Sequence, residues 1–340
     1  MEWVPPLSDS AAFDVSGNPL VPVCIRFPKA AGLHFGFKNR MPLTSADIVS
    51  QVRRVELRTS KLANDLMVGA YHSQFKGRGM DFEELREYVP GDDVRTIDWN
   101  VTARMRRPFV KLHREERELS VILVLDISAS GDFGSSERTK REFATEIAGT
   151  LAVSAMRNGD KTGLLLFSDD VELFLPPRKG RRHLLRVIRE ALAFPAKGRG
   201  TSIQSALAFL NHVVHRRSVV FLITDFLHSF GVAAGGRDLF HEIGQTNSRH
   251  DLVCIQLQDP RERAVPASGL LMIEDAETGE VLELDTMRES VRNSYAAGVA
   301  SRQEQLDSAL AQADVDCLRF SAADNHAAIL QHFFEHRRRR

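Results

Sequence analysis

From residue 120 onward the chain alternates short apolar runs with longer stretches of helical spacing. The runs fall at Val121–Leu125, Thr162–Phe167, Ser218–Ile223, Asp251–Gln256 and Asp316–Phe320. Each is too short for a helix and lacks the polar alternation of a strand with one wet face, which predicts strands buried on both sides. Between them, Glu137–Met156, Arg182–Ala193, Ile203–His215 and Asp238–Thr246 place apolar residues three and four positions apart and predict amphipathic helices. Such alternation predicts an α/β fold, a mainly parallel sheet flanked by helices. Val171–Leu175 follows its predecessor after only Ser168-Asp169-Asp170, too short a link for a crossover helix, and is expected antiparallel at an edge.

Between Asp259 and Thr286 two alternating stretches surround Glu277-Thr278-Gly279, the pattern of a β-hairpin inserted into the α/β frame. A long polar helix (Met287–Ala313) and a closing one (Asn325–His336) follow. Upstream, residues 1–44 are rich in Pro, Gly and isolated aromatics and read as a loosely structured arm. Residues 45–70 show helical spacing behind a capping Thr44 or Ser45. The next stretch is broken by Gly-x-Gly and Pro-Gly-Asp-Asp turns, and Phe109–His113 has strand character. The expected division is an arm at 1–44, a helical and irregular segment at 45–118, and an α/β domain at 119–340 with its insertion at about 259–286.

A hydrophobic share of 43% and a charged share of 26% belong to a globular chain. Lys+Arg and Asp+Glu both total 45, so no global field selects a nucleic acid or a membrane. Cys24, Cys254 and Cys317 are odd in number and far apart, which argues against a disulfide framework and suits a reducing compartment. No signal pattern opens the chain and no apolar run approaches a membrane span. The expectation is a cytoplasmic protein.

The first apolar run ends in Asp126-Ile127-Ser128-Ala129-Ser130, a carboxylate followed by two hydroxyls at alternate positions. In open α/β sheets, ligands bind beyond the carboxyl ends of strands. Two other features meet there: Thr201 in the Gly-flanked loop GRGTSI, and Asp225 at the end of SVVFLITDF. Together they supply two carboxylates and three hydroxyls, hard oxygen donors suited to Mg²⁺, with Mn²⁺ or Ca²⁺ as alternatives. Gly198 and Gly200 would let the Thr201 loop approach closely.

Asp126, Ser128, Ser130, Thr201 and Asp225 resemble the complete metal-ion-dependent adhesion site (MIDAS) of von Willebrand factor A domains. That resemblance implies direct metal binding by Ser128 and Ser130, and binding by Thr201 directly or through water. It implies that Asp126 and Asp225 act through water or hydrogen bonds to the hydroxyls, and that a partner's Asp or Glu fills an open coordination position. The stretch EYVPGDDVRTIDWNVTARMRRPFVKLHREE, with Tyr88, Gly91, Asp92, Asp93, Arg95, Asp98, Trp99, Ala103, Arg104, Val110 and Glu115, resembles the signature of the bacterial domain-of-unknown-function 58 family. Membership would imply a non-enzymatic adaptor working with a MoxR-type AAA+ ATPase in chaperone-like assembly or maturation, with a client protein. Many relatives carry N-terminal membrane helices, which are not readable here.

Plainer readings stand beside these. The five residues would also serve as turn formers, with Thr201 or Ser202 capping the helix at Ile203. The Asp92, Asp93, Arg95, Asp98 and Arg104 group reads as an ion-pair network pinning the irregular segment, with Trp99 as a packing anchor. A metal-dependent phosphohydrolase would use Asp126 as nucleophile, but the position two residues on is Ser128, which cannot act as a general acid. No G-x-S-x-G elbow and no G-x-x-x-x-G-K-[ST] loop occurs. A structural scaffold with a vestigial site is the third reading.

Overall fold

A computed structural model describes residues 50–59, 81–90, 92–94, 97–114, 119–134, 138–227, 238–277, 279, 281–321 and 324–337. The arm expected at 1–44 lies outside this set, as do Gly91, Arg95 and Glu115 of the signature segment. Residues 50–59 are helical (α1). Strands β1 (Asp81–Glu87) and β2 (Phe109–Arg114) form an antiparallel pair, with the short helix α2 (Trp99–Met105) between them.

Six strands make the main sheet: β3 (Ser120–Asp126), β4 (Lys161–Phe167), β5 (Val171–Arg178), β6 (Val219–Thr224), β7 (Asp251–Gln258) and β10 (Asp316–Ser321). Their order is β10-β7-β6-β3-β4-β5. All neighbours run parallel except β5, which pairs antiparallel with β4 at the edge. This is the von Willebrand factor A-like arrangement. The crossovers are α3 (Lys140–Arg157), α4 (Arg181–Ala193), α5 (Ile203–Val213) and α6 (Leu239–Arg249). After β7 come the one-turn helix α7 (Pro260–Arg263) and a hairpin of β8 (Leu270–Glu274) and β9 (Val281–Asp285), paired antiparallel in a sheet of their own. Helices α8 (Glu289–Gln312) and α9 (His326–Arg337) flank β10.

Strand β3 is buried at every position after the first, and its side chains alternate between two cores. Val121, Leu123 and Leu125 join Phe143, Ile147, Leu151, Ile188 and Phe334 on one face. Ile122 and Val124 join Ile203, Leu207, Ile243 and Leu310 on the other. Truncating one such leucine to alanine costs about 2–5 kcal/mol, so the sheet holds the ends of β3 and β6 firmly. Helix α1 docks on the first face through Val52 and Val55. Gly149 admits it: a Cβ there would stand 3.1 Å from Val55 and 3.3 Å from Thr59. Arg58–Glu146 at 2.9 Å and Arg181–Glu56 at 2.8 Å border the contact.

Part of the ion pairing expected in the signature segment is in place, and Arg95 of that group lies outside the described residues. Asp92 pairs with Arg86 at 2.6 Å and accepts from the Val89 N–H, which holds its carboxyl below the usual range. Asp98 caps α2 by accepting from Asn100 and Val101 N–H. These contacts shape the segment internally. Trp99, expected as a packing anchor, is 68% exposed.

Candidate metal centre

The chain first runs from β3 outward through β4 and β5, then returns to the other side of β3 to form β6. Strand order therefore reverses between β3 and β6, and a crevice opens beyond their carboxyl ends. Asp126 is the last residue of β3 and Asp225 the first after β6. The buried Phe226 follows at φ 57°, an αL backbone unusual for a bulky residue. With this turn, Asp225 Oδ1 accepts from the Leu227 N–H at 3.2 Å.

The structure brings all five expected residues together. The Ser128 N–H donates to Asp126 Oδ1 at 2.9 Å, and the Ser128 and Ser130 hydroxyls stand 3.0 Å apart. Ser130 hydrogen-bonds the Asp225 carboxylate. The Thr201 hydroxyl lies 3.5 Å from Asp126 Oδ2 and donates to Glu277 Oε1 at 2.8 Å. Thr224 gives Asp126 Oδ2 a shorter bond, 2.6 Å. Asp126, Ser128, Ser130 and Asp225 are buried, Thr201 half-buried.

The capping alternative divides cleanly. Ser202 is the N-cap of α5, accepting from the Ser205 N–H, so Thr201 is left to face the site. Its loop is stitched in place from both sides. Ala129 N–H donates to Arg199 O at 2.9 Å, Ser202 N–H to Ser168 O at 2.7 Å, and Gly198 N–H to Glu172 Oε1 at 3.0 Å. A Cβ at Gly198 or Gly200 would collide with the Asp169 side chain, so both glycines serve the close approach.

Three site residues carried no readable signal in the sequence. Lys140, the first residue of α3, is buried and donates from Nζ to Asp225 Oδ2 at 2.6 Å and to Glu262 Oε1 at 2.7 Å. A cation at a helix N-terminus opposes the dipole; the two carboxylates and the Thr139–Glu142 capping box hold it there. Glu262 comes from α7, and Glu277 from the β8–β9 turn. All three act across 76 to 122 residues of sequence, beyond the reach of local pattern.

Burial and the neighbouring Asp225 charge push Asp126 up to about 6. Desolvation also raises Asp225, but the Lys140 ammonium overrides it and leaves that carboxyl below its usual value. Without a further cation, Asp225 is thus the more readily ionised of the two, and Asp126 keeps its proton only up to about 6. Desolvation raises Glu262 to about 7 and Glu277 to about 8, the latter with Asp126 and Asp225 repelling its charge. Lys140 thus neutralises Asp225 and Glu262 on one side of the crevice, while Asp126 and Glu277 meet at the Thr201 hydroxyl on the other.

Among the described residues, no three of His, Cys, Asp and Glu come together as a metal cluster. A metal here would rest on mixed hydroxyl and carboxylate donors. The set fits a hard ion such as Mg²⁺: oxygen only, few formal charges, and buried hydroxyls already turned toward one another.

The family described as "Protein of unknown function DUF58" matches residues 84–305. The chain belongs to this family. The DUF58 match takes in the five residues and also Lys140, Glu262 and Glu277. An uncharacterized protein of Mycobacterium tuberculosis is 31% identical over 259 residues, 75% of this chain and 79% of its own. An uncharacterized Mycobacterium avium protein is 27% identical over 168 residues, 48% of this chain and 94% of its own. Among solved structures, the conserved hypothetical protein BatB from Bacteroides thetaiotaomicron aligns with 65% of this chain and 100% of its own, at 16% identity and a TM-score of 0.42. An aerotolerance-related membrane protein from Bacteroides fragilis covers 65% of this chain and 98% of its own, at 18% identity and a TM-score of 0.40. Among the described residues of the present chain, no helix is long and apolar enough to cross a membrane.

Proposed function

We propose that this protein is a Mg²⁺-dependent protein-interaction module. Its metal, held by Ser128, Ser130 and Thr201 and backed by Asp126 and Asp225, receives an Asp or Glu from a partner. The observation that carries this reading is the meeting of three hydroxyls and two carboxylates at the β3/β6 switch point. A bound dication supplies a positive centre able to take an anionic ligand. The chain's own residues do the rest: the Ser128 and Ser130 hydroxyls present lone pairs, Asp126 orients Ser128, and Asp225, fixed by Lys140, orients Ser130.

The resemblance of the signature segment supports a MoxR-type AAA+ ATPase as partner, in the cytoplasm, with this chain as a non-enzymatic adaptor for a client. The test is capture of the cognate ATPase by the full chain in Mg²⁺ and in EDTA. Capture in Mg²⁺ that is lost in EDTA and lost with Asp126→Ala, in a protein of unchanged circular dichroism, is the expected result. Capture indifferent to EDTA overturns the metal-dependent reading. A panel of phosphoesters with Mg²⁺ should give no turnover; Asp126-dependent hydrolysis would favour the phosphohydrolase.

A further inference from the structure

The β8–β9 insertion is seated on the metal centre. Ile273, Ala276 and Leu284 of the hairpin region pack with Phe133, Val265 and Tyr295, and the half-buried Ala129 joins them. Ala129 and Phe133 belong to the turn that carries Ser128 and Ser130, so the insertion rests on the part of the chain that presents two hydroxyls. Arg199, two residues before Thr201, donates from Nη2 to Ala276 O at 3.1 Å. The hairpin turn is fixed by Asp275, which accepts from the Glu277 N–H at 2.8 Å through its side chain and from the Gly279 N–H at 2.8 Å through its carbonyl. Gly279 takes φ 76°, which a glycine adopts without strain. The result is one carboxylate, that of Glu277, aimed at Thr201 with Oε1 2.8 Å from its hydroxyl.

Thr201 is one of the metal's own candidate donors and lies 3.5 Å from Asp126 Oδ2, so its hydrogen bond to Glu277 places that carboxylate at the edge of the site. We infer that Glu277 is a built-in acidic ligand of the metal, held by the insertion in the position a partner's carboxylate would take. The partner must then displace it, and the hairpin's seat on the Ser128–Phe133 turn ties that exchange to movement of the insertion. This rests on the metal reading given above and adds the regulation of the same site.

The test uses the full chain and Mn²⁺ alone as probe. Calorimetry compares wild type, Glu277→Gln and Ser128→Ala, while water-proton relaxation reports the waters left on bound Mn²⁺. Glutamine keeps the size of the side chain and a hydrogen-bonding oxygen for Thr201; circular dichroism checks the fold. The expected result is Mn²⁺ bound about tenfold more weakly by Glu277→Gln, with higher relaxivity per bound ion because a water replaces the carboxylate. Added acetate should lower that relaxivity in Glu277→Gln and leave wild type unchanged. Wild-type affinity and relaxivity in Glu277→Gln, with binding still lost in Ser128→Ala, overturns the role of Glu277 and leaves the metal site standing. No Mn²⁺ binding by the wild type overturns both.

Discussion

Lys140 Nζ stands 2.6 Å from Asp225 Oδ2, joining the start of α3 to the end of β6 with both side chains out of water. A second bond, to Glu262 Oε1 at 2.7 Å, draws in the short helix that precedes the insertion. Removing one member of a buried ion pair leaves the other charges desolvated and costs about 3–5 kcal/mol. Lys140→Met should therefore lose about that much in urea denaturation with EDTA present. Mg²⁺ should return more stability to this variant than to wild type, because the Asp225 and Glu262 charges then lack the ammonium that offsets them. A loss below about 1 kcal/mol would mean that the pair is not load-sharing at all.

Acid should weaken the proposed metal binding. Asp126 holds its proton to about 6, Glu262 to about 7 and Glu277 to about 8, whereas unfolded carboxyls lose theirs near 3.8 and 4.5. Folded values above unfolded ones mean that these groups favour folding below about pH 4 and that the contribution drains away as pH rises toward 8. A dication favours the ionised forms and reverses this penalty. The gain in Tm on adding saturating Mg²⁺ should thus be larger at pH 8 than at pH 5. Equal gains at the two values would contradict the shifts.

Gly149 governs the docking of α1. A Cβ at this position would meet Val55 at 3.1 Å and Thr59 at 3.3 Å, and the two γ-methyls of valine would press harder. Gly149→Val should speed hydrogen exchange in residues 50–59 while the sheet strands keep their protection. Unchanged exchange there would show that the contact yields to a larger side chain.

The sheet was legible because its strands are nearly pure apolar runs: β3, β4, β6 and β7 lie within two residues of the limits read from sequence. That Asp126, Ser128, Ser130, Thr201 and Asp225 meet was legible for a related reason, since hydroxyls and carboxylates at the ends of buried strands and in a Gly-flanked loop stand out against their surroundings. β1 was not. Its DFEELRE favours helix by composition, and pairing with β2 overrides that preference. Lys140 reads as a charged residue at an exposed helix start, yet it is 4% exposed, because its partners lie 85 and 122 residues away. Glu277 was read only as part of a hairpin turn. Nothing local marks it as facing Thr201.

The most direct test of the central claim is calorimetric titration of Mg²⁺ into the full chain at pH 8 beside Ser128→Ala. The account predicts one site per chain in the wild type and none in the variant, with the two proteins equally folded by circular dichroism. Equal binding by both, or no binding by the wild type, would contradict it.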